Sequence, residues 1–194
     1  IGIIGAGHVG LVTGACFADL GHTVVMVDHD AKRITGLQRG AVPFYEPGLL
    51  ELVARGVREK RLAFTTSVQQ GLKRSTLIFI AVGTPARATG EADLIGVEHV
   101  ARAIARHLDG YRLIVEKSTV PVQTGQWLAR TIRAALKRPQ PFDVASNPEF
   151  LREGSAIQDF MHPDRIVLGV ESRRARELLE ELYKPLGSPM IVTD

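Results

Sequence analysis

Apolar residues recur along this chain in two rhythms. Runs that are apolar at nearly every position, at 1–4, 23–27, 62–65, 76–82, 111–115, 142–145, 166–170 and 191–192, predict strands. The run 76–82 is almost unbroken, as in a strand buried on both faces. Between the runs, apolar positions fall three or four apart. Val9, Val12, Cys16 and Leu20 mark a first helix, which Gly21 closes. Further helices are predicted over 30–37 with Asp30 as cap, over a short stretch opening at the turn-rich 43–49 and ending at 54, and over 67–73 and 93–108. Two more are predicted from near Pro121 to about 137 and over 173–183. Residues 86–92 are polar and read as a loop. There is no internal repeat, so the alternation itself predicts an α/β fold with a doubly wound, mostly parallel sheet.

The junction of the first strand and first helix gives that prediction a ligand. It reads Gly5-Ala6-Gly7-His8-Val9-Gly10, the spacing of a Rossmann-type dinucleotide turn with helices on both faces of the sheet. Gly5 makes the tight turn, Gly7 lets backbone approach a pyrophosphate, and Gly10 lets the helix pack close to the strand. The helix then presents unpaired N–H groups and its positive dipole end to the phosphates. The second strand ends in Asp28, roughly 20 residues on, where this fold keeps a carboxylate for the adenosine ribose.

Composition narrows the class. The net charge of +3 is small and basic residues alternate with acids, so no nucleic-acid-binding stripe is predicted. A single cysteine excludes an internal disulfide and favours a reducing, cytoplasmic compartment. Cys16 lies on the apolar face of the first helix and reads as core rather than nucleophile. No apolar run has membrane-spanning length, and the six histidines lack metal-ligand spacing, so no membrane and no metal are expected. His162, with Pro163 and Asp164, reads as surface loop near the site. The chain opens inside a strand and closes on the strand-like 190–194, which reads as one domain, 1–194, of a longer protein.

In doubly wound sheets ligands bind beyond the carboxyl ends of the strands, which singles out four loops: 5–10, 83–85, 117–119 and 146–153. Gly83-Thr84-Pro85 suits either a flat ligand or a stiff connector. Ser118 and Thr119, from local chemistry alone, read first as caps of the helix that follows Pro121. In 147–153, Asn147 would cap a helix with Pro148 at its first position, setting Glu149 and Glu153 four apart on one face. Glu149 then either complements the helix dipole or, with Glu153, forms a converging pair in which one acid is a general base.

Taken together, GAGHVG (5–10), FYEPGL (44–49), VGTP (82–85), KSTVPV (117–122), SNPEFLREGSAI (146–157) and PDRIVLG (163–169) resemble the UDP-glucose/GDP-mannose dehydrogenase family. The resemblance implies NAD as cofactor and oxidation of a nucleotide-sugar C6 hydroxyl to a carboxylate through an enzyme-bound thioester. It implies that Gly5, Gly7, His8, Val9 and Gly10 hold the pyrophosphate and that Asp28 and Arg33 hold the ribose. Val82, Gly83, Thr84, Pro85 and Ala86 would line the cofactor further along, with Ser118 and Thr119. Thr119 would order the catalytic water, Glu149 would be the acid–base residue, and Glu153 would lie where nicotinamide and sugar meet. Phe150, Leu151 and Arg152 would contact the sugar nucleotide. His8 replaces a frequent Tyr and Gln123 a frequent Gly. The family's catalytic Cys, its central-helix Lys and Asn, its second nucleotide-sugar domain and the helix through which it pairs into homo-oligomers would lie beyond residue 194. FYEPGL and KSTVPV favour UDP-glucose as substrate. UDP-N-acetyl-hexosamine or GDP-mannose dehydrogenases, and a non-catalytic NAD-binding module, are the alternatives.

Overall fold

The computed structural model describes residues 1–121 and 123–193. Eight strands form one sheet: β1 (Gly2–Ile4), β2 (Val24–Val27), β3 (Leu62–Thr65), β4 (Leu77–Ile80), β5 (Arg112–Glu116), β6 (Phe142–Ser146), β7 (Ile166–Val170) and β8 (Met190–Thr193). Their order is β3-β2-β1-β4-β5-β6-β7-β8. Neighbours run parallel except β6 and β7, which pair antiparallel through Ala145–Val170 and Ser146–Gly169. The order reverses between β1 and β4, and the crevice beyond the carboxyl ends of those strands is where such a sheet takes its ligand.

The helices are α1 (His8–Asp19), α2 (Ala31–Gln38), α3 (Leu49–Arg58), α4 (Val68–Lys73), α5 (Ile95–His107), α6 (Thr124–Ala135), α7 (Ala156–Met161) and α8 (Arg173–Tyr183), with a 3-10 turn over Lys184–Leu186. None of them is long and apolar enough to cross a membrane. The period of two in the strands sorts side chains between two layers. Ile3, Phe79, Leu113 and Val115 pack with α1, α3, α7 and α8. Ile4, Ile78, Ile80 and Ile114 face the other way, onto α5 and α6. Phe17 of α1 ties the first layer together. Its ring lies 5.4 Å from Phe79, 5.1 Å from Phe160 of α7 and 5.6 Å from Tyr183 of α8. Burying such a side chain contributes about 1.5–3 kcal/mol. Cys16 beside it is fully buried, as its spacing predicted, and burial with the charge of Asp19 pushes its thiol up to about 12.

Three sequence expectations are corrected. α3 runs to Arg58 rather than 54, because Gly56 lets the helix settle against Leu62 and Ala18. α6 begins at Thr124, not near Pro121, after Gln123 in a left-handed conformation (φ 71°). The helix expected from Pro148 is absent: 147–152 is irregular, 153–155 is turn, and α7 starts only at Ala156. Val122 of the KSTVPV stretch and Asp194 of the terminal run lie outside the described residues.

Candidate functional site

The turn after β1 is built from backbone. Gly5 has φ +108° and donates to the Val27 carbonyl at 2.7 Å. A Cβ at Gly5 would lie 2.3 Å from the Ala81 carbonyl oxygen, and one at Gly10 would lie 2.0 Å from that of Gly5. These two glycines are therefore packing requirements. At Gly7 a Cβ would meet nothing within 4 Å, so that side of the turn is open to a ligand. Gly7 caps α1 without a side-chain hydrogen bond, and the first turn of α1 holds no acid. Its first N–H groups lack intrahelical acceptors, and with no acid in that turn its positive dipole end suits a phosphate.

Asp28 is buried at the end of β2 and accepts from Ala6 N (2.8 Å), Asp30 N (2.9 Å) and Arg33 Nη1 (2.9 Å). Burial acts to raise its carboxyl. The N–H groups of Asp30 and Ala6 and the Arg33 guanidinium outweigh that and hold it below the usual range. His29 Nδ1 lies 3.4 Å from Oδ1 on the exposed side, so the carboxylate is contacted from four directions. Asp30 caps α2 through Lys32 N and Arg33 N, as expected.

Two further loops meet this turn in a cavity of about 240 Å³, lined by Gly7, His8, Val9, Val82, Gly83, Thr84, Lys117, Ser118, Thr119 and Glu149 among others. Ser118 and Thr119 do not cap α6. Ser118 Oγ donates to the Val82 carbonyl at 2.8 Å, and Thr84 Oγ1 donates to the Thr119 carbonyl at 2.8 Å. These bonds lock loop 82–84 to loop 118–119. Pro85 stands outside the cavity, and its carbonyl accepts from Asp93 N at 2.9 Å. The turn thus fits a dinucleotide: an open glycine at a helix start, a buried acid at the end of β2, and a cavity running from the turn toward Glu149.

Beyond Glu149 lies a second cavity, of about 370 Å³. Glu149 and Lys117 line both, so the two spaces adjoin at these residues. Phe150, Leu151 and Arg152 line the second cavity together with His162, Pro163, Asp164 and Arg165. Arg165 sits over the Phe150 ring, 5.0 Å from its centre. Glu149 Oε2 accepts from Leu151 N at 2.6 Å, a bond that curls the loop locally. Without a helix, Glu149 and Glu153 share no face. Glu153 is exposed and lines neither cavity.

Spacing had not marked the residues beneath. Lys117 is buried and donates from Nζ to Asn147 Oδ1 at 3.0 Å, and Tyr183 OH donates to the same oxygen. Burial pulls the lysine down to about 8, against the opposing pull of the Glu149 charge. Burial pushes Glu116 up to about 7, although Ser118 bonds to it. Its Oε2 has no partner among the described residues. Glu46, in the turn before α3, is also buried; it lies in the FYEPGL stretch, which gave it no role of its own.

Strand order, glycine turn and cavity define a dinucleotide-binding domain. The model of the UDP-glucose/GDP-mannose dehydrogenase family, NAD binding domain, matches residues 1–187, and the chain belongs to that family as its NAD-binding domain. It is 49% identical over 194 residues to UDP-glucose 6-dehydrogenase TuaD of Bacillus subtilis, covering 100% of this chain and 42% of that protein. It is 51% identical over 199 residues to UDP-glucose 6-dehydrogenase of Rhizobium meliloti, covering 100% of this chain and 45% of that one. Among solved structures, a UDP-glucose dehydrogenase from the hyperthermophilic archaeon Pyrobaculum islandicum superposes with a TM-score of 0.95 at 42% identity, over 99% of this chain and 45% of that one. The chain spans less than half the length of these relatives.

Proposed function

We propose that this chain is the NAD-binding part of an enzyme that oxidises the C6 hydroxyl of UDP-glucose to a carboxylate. The observation that carries the reading is the position of Glu149, which lines both the dinucleotide groove and an adjoining cavity bordered by Phe150, Leu151 and Arg152. A module that only bound NAD would need neither that second space nor an acid at its mouth. UDP-glucose is preferred over GDP-mannose or a UDP-N-acetyl-hexosamine because relatives named for UDP-glucose reach 49–51% identity. A GDP-mannose dehydrogenase structure from Pseudomonas aeruginosa stands at 35%, with a TM-score of 0.94 over 98% of this chain and 45% of that one.

NAD, when bound, supplies the hydride acceptor. Gly5 to Gly10 hold its pyrophosphate, Asp28 with Arg33 its ribose, and Val82 to Pro85 with Ser118 its far end. Asp28 would repel a 2′-phosphate, and Arg33 is already engaged by that same carboxylate. Glu153, carried outward in this domain, would be completed by the cofactor and sugar together. The overall change from alcohol to carboxylate consumes one water and two NAD. In the hydrolytic half, water attacks the acyl carbon of a thioester on a cysteine beyond this domain, and the thiolate leaves. Glu149 takes the proton of that water, which Thr119 at the cavity's exposed edge would order. Such general-base help contributes about 10²–10⁴-fold.

The full-length protein, assayed by NADH absorbance with UDP-glucose, GDP-mannose and UDP-N-acetyl-glucosamine, should form two NADH per UDP-glucose. It should use NADP at least about tenfold less well, a difference of ~1.4 kcal/mol. Preference for another sugar nucleotide would reassign the substrate, and turnover with none would leave a binding module.

A further inference from the structure

Glu46 is 4% exposed, and its carboxylate has three donors from distant parts of the chain. Oε2 accepts from Gly154 N at 2.9 Å and from His8 Nε2 at 2.8 Å, and Oε1 accepts from Ala156 N at 2.9 Å. An ionised carboxylate only accepts, so Nε2 of His8 carries the hydrogen. Burial works to raise the Glu46 carboxyl, but His8 and the N–H groups of Gly154 and Ala156 outweigh it and hold the acid below its ordinary range.

These donors belong to the two loops that meet at the cavity. His8 opens α1 directly after Gly7 and lines the dinucleotide groove. Gly154 and Ala156 end the loop that carries Glu149 and Phe150 to Arg152. The start of that loop is already fixed to β5, since Asn147 N donates to the Glu116 carbonyl at 2.9 Å. Between 147 and 155 there is no helix or strand to hold it. The far end therefore depends on side-chain anchors, and Glu46 holds it through two backbone amides at once.

We propose that Glu46 is a positioning residue. It pins the substrate-side loop, and so Glu149, to the first turn of α1. This rests on the role given to Glu149 above. The chemistry of the contact makes it selective. A glutamine offers one acceptor oxygen and one NH₂ group, so in either orientation an N–H of Gly154 or Ala156 faces another donor. An aspartate is one methylene too short to span both.

The test uses the full-length enzyme with Glu46→Gln and Glu46→Asp. Hydrogen exchange should quicken in peptides covering 150–161 and stay unchanged in those covering β1 and α1. Turnover should fall on the order of 10²-fold, as misplacing a reacting group by about 1 Å does, and KM for UDP-glucose should rise. NAD affinity should stay within about threefold, less than 1 kcal/mol. Unchanged exchange at 150–161 would overturn the proposal. So would quickened exchange and a lower melting temperature with kcat and KM intact, because the contact would then be merely structural. If Glu46→Gln does not fold, His8→Phe removes one of the three bonds while keeping a ring against Phe44, 5.0 Å away in the native protein. Unchanged exchange at Gly154 in that variant would equally contradict the pinning of the loop to α1. Should the wild-type enzyme fail to oxidise UDP-glucose, the functional reading falls, and the exchange arm still decides whether Glu46 anchors the loop.

Discussion

The turn at 5–10 and the loop at 147–155 border the same cavity and are held by opposite means. The first is fixed by backbone: one left-handed glycine, one glycine under a carbonyl, and a helix that starts at once. Its outside supports are few: the Val27 carbonyl, the Ala81 backbone and the Asp28 carboxylate. The second has no regular structure and takes its shape from carboxylates. Glu46 holds Gly154 and Ala156, and Asp159 holds Arg152 N at 2.9 Å, Arg152 Nη2 at 2.7 Å and Ser155 Oγ at 3.1 Å. A phosphate cradle must be rigid, and close packing makes it so. A loop that presents side chains to a substrate is set by discrete charged anchors, and each anchor can be removed without touching the sheet.

The difference can be broken from either side. The largest effect is expected from Gly10→Ala. The new Cβ has nowhere to go, with the Gly5 oxygen 2.0 Å away and the Ala81 side chain 3.3 Å away. Overpacking of this kind costs about 1–3 kcal/mol or somewhat more. At this size that lowers the melting temperature by roughly 2–12 °C. NAD binding should be lost in calorimetric titration, and exchange should quicken across β1 and α1. Binding with unchanged stability would show that the turn is not set by packing.

A smaller and local effect is expected from Asp159→Ala. Exchange should rise over 150–156 with little change in melting temperature, because Arg152 is mostly exposed and solvent screens the pair. Hydrogen bonds and charge from Arg152 hold the Asp159 carboxyl well below its ordinary 3.8. A depressed carboxyl stabilises above its unfolded pKa and loses that contribution as pH falls through the folded value. Wild-type protection at 150–156 should therefore stay level from pH 7 to 5 once intrinsic exchange rates are corrected for. A decline across that window would contradict the anchor.

Legibility in the sequence follows the same division. The eight strands, Asp28, the Asp30 cap and the core position of Cys16 could be read because each is encoded by neighbours: a period, a cap, a glycine spacing. The 147–155 loop was misread as a helix for the same reason. Asn147-Pro148 is a sound local helix start, but Asn147 spends its side chain on Val167, Lys117 and Tyr183 instead of capping. Ser118 and Thr119 resembled caps and are cross-links between loops. Glu46 and Lys117 lay inside the FYEPGL and KSTVPV stretches, but the sequence assigned neither a role. Only the folded chain buries them, and no local pattern records a partner more than a hundred positions away.

The central claim is that the acid where the two cavities meet is the base for thioester hydrolysis, and Glu149→Gln tests it most directly. The amide keeps the side chain's shape and can still accept from Leu151 N, which lies 2.6 Å from the native carboxylate, but it cannot take a proton. In the full-length enzyme the variant should bind NAD normally, turn over on the order of 10²–10⁴-fold more slowly, and accumulate a covalent sugar–enzyme adduct visible by mass spectrometry after mixing with UDP-glucose and NAD. Wild-type turnover without an adduct would contradict the claim and leave Glu149 as a structural turn residue.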